Sequence, residues 1–138
     1  SPATYGTPQR STTVFDVTRL QLLLAVLERR LGIRLSTQDV FLNITGGIRV
    51  NDTSLDLAVC AAVYSSYHDL ILPEGTCLIA EVGLGGELRR VSRLDTRIGE
   101  AEKLGFHNIL VAKGTEELGS KPSITELHLV KEAFGKLF

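Results

Sequence analysis

The stretch that decides the fold is Thr76-Cys-Leu-Ile-Ala-Glu-Val-Gly-Leu-Gly-Gly-Glu-Leu-Arg89. Its apolar residues predict a strand over 77–82, which the turn formers of Pro73-Glu-Gly75 introduce. The glycines of Gly83-Leu-Gly-Gly86 then predict a hairpin connection to a short strand around 87–91. A loop that cradles phosphate is the alternative for such glycines, but no complete nucleotide-binding motif accompanies them. The stretch is therefore interpreted as a β-hairpin.

A first helix is predicted to follow an extended arm. Residues 1–17 are rich in turn formers and indicate a linker or arm, so the folded domain is predicted over 18–138. Either Asp16 or Thr18 can cap the helix, and Gly32 ends it. Leucines at helical spacing form its core stripe: Leu20, Leu23, Leu24, Leu27 and Leu31.

Two more elements are predicted ahead of the hairpin. Alternating apolar and polar residues indicate a strand over 39–45, and Gly46-Gly47 allows a sharp turn after it. A helix over about 53–67 begins with the capping-box-like pattern Thr53-x-x-Asp56. Because this helix is apolar nearly all round, we expect it to be buried on several sides at the centre of the domain.

Helices and strands continue to alternate after the hairpin. Ser92 is predicted to cap a helix over about 93–104, and residues 108–112 are predicted to form a strand. Ser123-x-x-Glu126 is predicted to begin a last helix with an apolar face of Leu127, Val130, Phe134 and Leu137. This order predicts an α/β (α+β) fold in which helices pack on a mixed, partly parallel sheet.

Composition is that of an ordinary globular domain. The 138 residues fit one domain, and 43% hydrophobic with 22% charged residues is usual for it. A net charge of −1 provides no overall attraction to nucleic acid or to membranes, so only a local patch could bind an anion. No apolar run reaches the ~18 residues of a membrane span and no signal peptide is visible, which indicates a cytoplasmic protein without a membrane partner. The turn-rich opening without methionine suggests either a piece of a longer protein or a processed terminus.

The cysteines and histidines of the sequence indicate neither a metal site nor a catalytic group. Cys60 and Cys77 both lie in apolar runs and are predicted to be buried free thiols. Two thiols without a second ligand pair predict no zinc site and no other metal site. The histidines are scattered along the chain, and none is assigned a role.

The cations are concentrated in one segment. Ten of the fifteen are arginine, and four of these fall within nine residues: Arg89, Arg90, Arg93 and Arg97. Arg93 and Arg97 are one turn apart on the predicted helix and therefore share a face. We consider the four arginines as DNA-binding candidates that would contact phosphates. The alternative is a solvated surface on which they pair with Glu87, Asp95 and Glu100.

Ser54 is the candidate nucleophile with a structural context, since backbone N–H groups at a helix N-terminus could stabilise an oxyanion. The alternative is that its hydroxyl only caps the helix. Catalysis would also need a base within reach. Lys103 lies two turns beyond Arg97, about 9 Å by helix rise. Asp56 and Asp95 are too weakly basic to activate a serine unless their pKa is strongly raised.

Three segments, in this order and spacing, resemble the proteolytic domain of the Lon-type serine–lysine proteases. They are Asp39-Val-Phe-Leu-Asn-Ile-Thr-Gly-Gly-Ile-Arg-Val50, Ala80-Glu-Val-Gly-Leu-Gly-Gly-Glu-Leu-Arg89 and Gly105-Phe-His-Asn-Ile-Leu-Val-Ala-Lys113. The resemblance places Ser54 at the nucleophile position and Arg97 at the position of the lysine base. Where the family has Pro-Lys-Asp-Gly-Pro-Ser-Ala-Gly, this chain has Arg49-Val-Asn-Asp-Thr-Ser-Leu-Asp56. A guanidinium keeps its proton and cannot activate a serine, so the resemblance implies a degenerate site without catalytic residues.

These departures match a second family. Tyr5-Gly-Thr-Pro-Gln-Arg-Ser11, the segment 39–50 and Glu81-Val-Gly-Leu-Gly-Gly-Glu-Leu-Arg89 closely resemble the C-terminal Lon-like domain of the bacterial RadA family, also called Sms. The resemblance covers about residues 5–113. It implies a ribosomal protein S5 domain 2-like fold and a Lon-protease-like domain that has lost proteolysis.

Members of the RadA family are hexameric, ATP-driven branch-migration motors of recombinational repair. The resemblance implies a scaffold domain that supports homo-hexamer assembly and engagement of single-stranded or branched DNA. It implies a parent protein that is a DNA-dependent ATPase and acts with a recombinase. ATP, Mg and Zn are expected only in domains upstream of this fragment. The alternative function is an active Lon-like serine peptidase or a peptide-binding domain.

Overall fold

The computed structural model of the chain describes residues 17–32, 53–118 and 121–138. The helices in these ranges are α1 (Val17–Leu31), α2 (Asp56–His68), α3 (Leu94–Lys103) and α4 (Val130–Leu137), with a 3₁₀ turn at Thr53–Leu55. The strands are β1 (Thr76–Ile79), β2 (Glu81–Val82), β3 (Leu88–Arg89), β4 (Asn108–Ala112) and β5 (Ile124–Leu127).

A parallel sheet with β4 at its centre organises the domain. Strand β1 pairs with β4 from Thr76↔Asn108 to Ile79↔Val111, and β4 pairs with β5 in the same direction. Alternate residues of β4 enter two apolar clusters: Leu110 packs with α1, α2 and α4, whereas Ile109 packs with α3. Helices therefore cover both faces of the sheet, as is usual for parallel strands, and the α/β prediction is confirmed.

The predicted hairpin is present, but the strand that leads into it is divided at Ala80. Strands β2 and β3 pair antiparallel through Glu81↔Arg89 and Val82↔Leu88. Ala80 is fully buried, and its carbonyl accepts a hydrogen bond from the amide of Leu57 at 3.2 Å. The predicted strand over 77–82 is therefore two strands, because the chain leaves the parallel sheet at Ala80 and enters the hairpin.

The two predicted central helices are confirmed. Helix α1 ends at Leu31, and Gly32 follows with φ +68°, a conformation that favours glycine. The leucine stripe contributes to the core through Leu23, Leu24 and Leu27. Helix α2 buries residues on several sides, as its apolar sequence predicts.

The predicted start of the last helix is wrong. Residues 124–127 form strand β5, because their backbone pairs with β4, and Ser123 Oγ contacts the carboxylate of Glu102 at 3.2 Å. Helix α4 begins at Val130 instead. Its first turn is capped by Glu132, whose Oε1 accepts hydrogen bonds from the amides of His128 at 2.7 Å and Leu129 at 3.0 Å. These two bonds, the first above all, lower the pKa of the Glu132 carboxyl.

Two predicted helix caps are also wrong. The residue that precedes α2 is Leu55, which makes no side-chain capping bond, so neither Ser54 nor Thr53 occupies the N-cap position. The residue that precedes α3 is Arg93, with φ +58° and no capping bond, so Ser92 is not the cap. The predicted arm, up to residue 16, and the strand and turn over 39–47 lie outside the described residues.

A buried ion pair joins α1, α2 and the hairpin. The side chain of Asp56 is 0% exposed, and Arg19 Nε donates to its Oδ1 at 3.1 Å while Arg19 Nη2 donates to its Oδ2. The amide of Val82 donates to the same Oδ2 at 3.0 Å, and Arg19 Nη2 also donates to the Val82 carbonyl at 3.1 Å. The hydrogen bond to Asp56 raises the pKa of Arg19, so the guanidinium stays charged at all working pH values.

We expect Arg19→Met to lower the free energy of unfolding by about 3–5 kcal/mol, because it leaves a buried carboxylate without its cation. Arg29→Met is the matched control: Arg29 lies on the same helix and is exposed, so its loss should cost within about 0.5 kcal/mol. Chemical denaturation of both variants measures the difference. Equal stability of the two variants would contradict the structural role of the pair.

Candidate functional site

A cleft of about 450 Å³ opens between helix α3, strand β1 and the 3₁₀ turn before α2. Its apolar lining comes from Leu55, Cys77, Leu78, Ile79, Ala101, Leu104 and Phe106. Its polar lining comes from Ser54, Arg93, Thr96, Arg97 and Glu100. A concave, mostly apolar cleft with a few converging polar groups is the usual form of a binding site.

Ser54 lies in the 3₁₀ turn at the inner end of this cleft. It is buried, and its Oγ lies 3.1 Å from Arg97 Nη1 as the acceptor of a guanidinium N–H. The two positions singled out by the Lon resemblance are therefore in contact, although 43 positions separate them in the sequence.

Arg97 is fixed at both ends of its guanidinium. Nε donates to the backbone carbonyl of Ser92 at 2.9 Å, while Nη1 donates to Ser54. A guanidinium has only donors and does not lose its proton in proteins. The contact therefore provides a cation and a hydrogen-bond donor at the serine hydroxyl, and it provides no base.

Other bases considered for Ser54 lie elsewhere. The carboxylate of Asp56 is bound to Arg19 and to the Val82 amide. Asp95 lines a separate, smaller cavity of about 230 Å³. Lys103 is exposed at the far end of α3 and does not line the cleft. The carboxylate that does line it is Glu100, which the sequence did not indicate as part of the site.

The cysteines occupy different environments. Cys60 is buried in the main core, where desolvation raises the pKa of its thiol. Cys77 was predicted to be buried but is only half-buried, and it lines the cleft. Desolvation raises the pKa of Cys77 as well, which disfavours a reactive thiolate.

The four clustered arginines do not form one patch. Arg89 is exposed, and its Nε donates to Glu87 at 3.0 Å, an interaction that lowers the pKa of the Glu87 carboxyl. Arg93 and Arg97 both line the cleft, as their spacing of one helical turn predicts. Arg90 faces a different part of the fold.

Arg90 fastens the segment after β4 to the sheet. Its guanidinium donates to the carbonyls of Ala112 at 3.0 Å and Glu116 at 2.7 Å, and to the carboxylate of Glu126 at 2.8 Å. Its side chain is only 17% exposed. The DNA-binding role of the four arginines stays a prediction, and the geometry favours Arg93 and Arg97 over Arg90.

The part of the chain that the structure describes contains neither a metal-binding cluster nor a membrane-spanning helix. Within it, no group of three histidine, cysteine or acidic side chains is arranged to hold a metal ion. None of the helices in that part has both the length and the apolar character needed to cross a membrane.

Comparison with known proteins shows which proteins the chain is similar to. Residues 13–115 match the family described as "Subunit ChlI of Mg-chelatase". DNA repair protein RadA of Bacillus subtilis (strain 168) is 40% identical over 127 residues, which are 92% of this chain and 28% of that protein. The RadA protein of Synechocystis sp. is 45% identical over 114 residues, which are 83% of this chain and 23% of that protein. The RadA protein of Streptococcus pneumoniae is 42% identical over 132 residues, which are 96% of this chain and 30% of that protein.

The chain thus spans between 23% and 30% of the length of these relatives. The family match covers most of the described residues, and it includes both the hairpin and the cleft. The chain therefore belongs to the family described as subunit ChlI of Mg-chelatase, in the form that this domain takes in bacterial DNA repair proteins of the RadA type.

Proposed function

We propose that this chain is a non-catalytic, Lon-protease-like scaffold domain of a RadA-type DNA repair protein. It supports the assembly of a homo-hexamer and the engagement of single-stranded or branched DNA. The parent protein is a cytoplasmic, DNA-dependent ATPase of branch migration that acts with a recombinase. ATP, Mg and Zn belong to upstream parts of that protein. The name of the relatives, DNA repair protein RadA, supports the DNA repair role.

The observation that carries the non-catalytic assignment is the contact between Arg97 Nη1 and Ser54 Oγ at 3.1 Å. A serine becomes a nucleophile only when a base removes its proton. Arg97 donates a proton to the hydrogen bond instead of accepting one, and the contact with the Ser92 carbonyl keeps it in that position. A lysine in the same place could lose its proton, whereas the guanidinium cannot.

The alternative is an active Lon-like serine peptidase or a peptide-binding domain. One observation favours it: Ser54 lines a cleft of about 450 Å³ beside strand β1, a size and position suitable for a peptide side chain. A peptidase and a scaffold differ in whether the Ser54 hydroxyl reacts, so chemical labelling decides between them.

We expect a fluorophosphonate probe to leave the wild-type chain and Ser54→Ala equally unlabelled, since no base activates the hydroxyl. Arg97→Lys alone should also stay unlabelled, because the Gly-Pro-Ser-Ala-Gly context of the active family is replaced by Asp52-Thr-Ser-Leu-Asp56. Mass spectrometry measures labelling, and an active serine protease is the positive control. Labelling of the wild type that Ser54→Ala abolishes would establish the peptidase instead.

The assembly part of the proposal is supported by exposed apolar side chains in two separate places. Ile71, after helix α2, is 90% exposed, and Leu84, at the tip of the hairpin, is 68% exposed. A ring is built by a head-to-tail contact, which needs two different surfaces on each subunit. Large exposed apolar side chains are a common mark of such surfaces.

We expect sedimentation velocity to show association of the chain toward a hexamer as its concentration rises. Ile71→Asp and Leu84→Asp should each weaken this association, because the new charge would be buried in the contact between subunits. Ala25→Asp, at an exposed position of α1, is the control and should associate like the wild type. A wild type that stays monomeric at the highest concentration, with no six-fold or helical packing in a crystal, would contradict the proposed assembly.

A further inference from the structure

Both cationic and apolar side chains line the cleft, and a small inorganic ion would interact favourably with the cationic ones alone. Two arginines, Arg93 and Arg97, line it, against the single carboxylate of Glu100. Its apolar lining continues into the cluster between α3 and the sheet through Phe106 and Ile79. Leu104, on the same cleft, is 76% exposed. A ligand that fits must carry an anionic group and, close to it, a flat or bulky apolar group.

A nucleotide of a single strand has this combination. Its backbone phosphate suits guanidinium groups, and its base has an apolar face that stacks on aromatic side chains. Phe106 is the aromatic side chain of the cleft and is only partly buried. Thr96, on the same helix as Arg97 and three residues after Arg93, adds a hydroxyl that can donate to a phosphate oxygen.

Duplex DNA fits less well. In a duplex the faces of the bases are covered by stacking, so a protein meets phosphates, sugars and base edges but no free base face without distortion of the helix. A base could enter a cleft of about 450 Å³ only after it leaves the stack, and in a single strand it has already done so. The apolar part of the cleft would stay uncovered on a duplex.

We propose that the cleft between α3 and β1 binds one nucleotide of single-stranded DNA, with its phosphate at Arg93 and Arg97 and its base against Phe106. This inference rests on the proposed engagement of DNA, and it adds where the strand binds and why a single strand is preferred. The degenerate protease position thereby becomes part of a binding site, since Ser54 holds one of the two guanidiniums.

The test measures fluorescence anisotropy at low salt with three labelled DNAs of equal length: oligothymidylate, an abasic deoxyribose-phosphate strand, and a duplex. We expect the wild-type chain to bind oligothymidylate about tenfold more tightly than the abasic strand, since one stacked base contributes roughly that factor. The duplex should bind no better than the abasic strand.

Four variants, one of them a control, separate the contribution of the base from that of the phosphate. Phe106→Leu keeps an apolar side chain of similar size but removes the aromatic ring, so it should abolish the preference for oligothymidylate. Phe138→Leu, outside the cleft, is the control and should retain that preference. Arg93→Glu should weaken binding of both single strands and reduce the salt dependence, because a phosphate contact is lost. Leu104→Glu, at a highly exposed position that does not endanger folding, should weaken binding as well.

Alkylation of Cys77 provides a second readout, because this thiol lines the cleft whereas Cys60 is buried in the core. Oligothymidylate should slow alkylation of Cys77 by maleimide, and the abasic strand should not. No binding of any DNA at low salt would contradict the proposed DNA engagement itself. Binding that is equal for oligothymidylate and the abasic strand, with Cys77 unprotected, would overturn the nucleotide site while DNA engagement stands.

Discussion

The fully buried carboxylate of Asp56 is the constraint on which the arrangement of the other elements depends. A charge in the interior is tolerated only with a partner charge and with hydrogen bonds to its remaining oxygen lone pairs. Arg19 provides the charge from α1, and the Val82 amide provides a further hydrogen bond from β2. Three elements must therefore meet at one point before the carboxylate can be buried. The amide of Leu57, the next residue along α2, is bound at the same place to the carbonyl of Ala80.

The same constraint fixes the position of the cleft. Asp56 is the first residue of α2, so its ion pair also holds the 3₁₀ turn Thr53–Leu55 that precedes the helix. The turn places Ser54 where Arg97 of α3 can donate to it, which connects the two faces of the sheet. Arginine suits this second role because its planar group donates in several directions and stays charged.

Sequence reasoning succeeded where a pattern depends on neighbours in the chain. The leucine stripe of α1, the glycine hairpin and strand β4 are local patterns, and all three are present. Two predicted helix starts, at Thr53-x-x-Asp56 and at Ser123-x-x-Glu126, failed because a side chain of each motif makes a tertiary contact instead. Asp56 binds Arg19, and Ser123 binds Glu102. A capping bond contributes about 1 kcal/mol, whereas leaving the buried carboxylate of Asp56 without its cation would cost about 3–5 kcal/mol.

Sequence reasoning identified only part of the candidate site. Ser54 and Arg97 were identified through a family resemblance, and their contact is present. The cleft's apolar side was missed, because Leu78 and Phe106 look the same in the sequence as fully buried core residues. The side chains of the clustered arginines point in different directions: Arg89, the last residue of β3, meets solvent, whereas Arg90, just after the strand, turns toward β5. Proximity in the sequence did not predict a common patch.

Native-state hydrogen exchange at the Val82 amide, which donates to Asp56 Oδ2 at 3.0 Å, tests the central role of the buried pair most directly. If the pair holds the domain together, this amide exchanges only through global unfolding, with the same opening free energy as Leu110 in the central strand. The amide of Gly85, which donates to the exposed carboxylate of Glu87 in the same hairpin, should exchange much faster and serves as the internal reference. Exchange of Val82 at the rate of Gly85, with Leu110 still protected, would show that the hairpin opens without disturbing the core and would contradict the account.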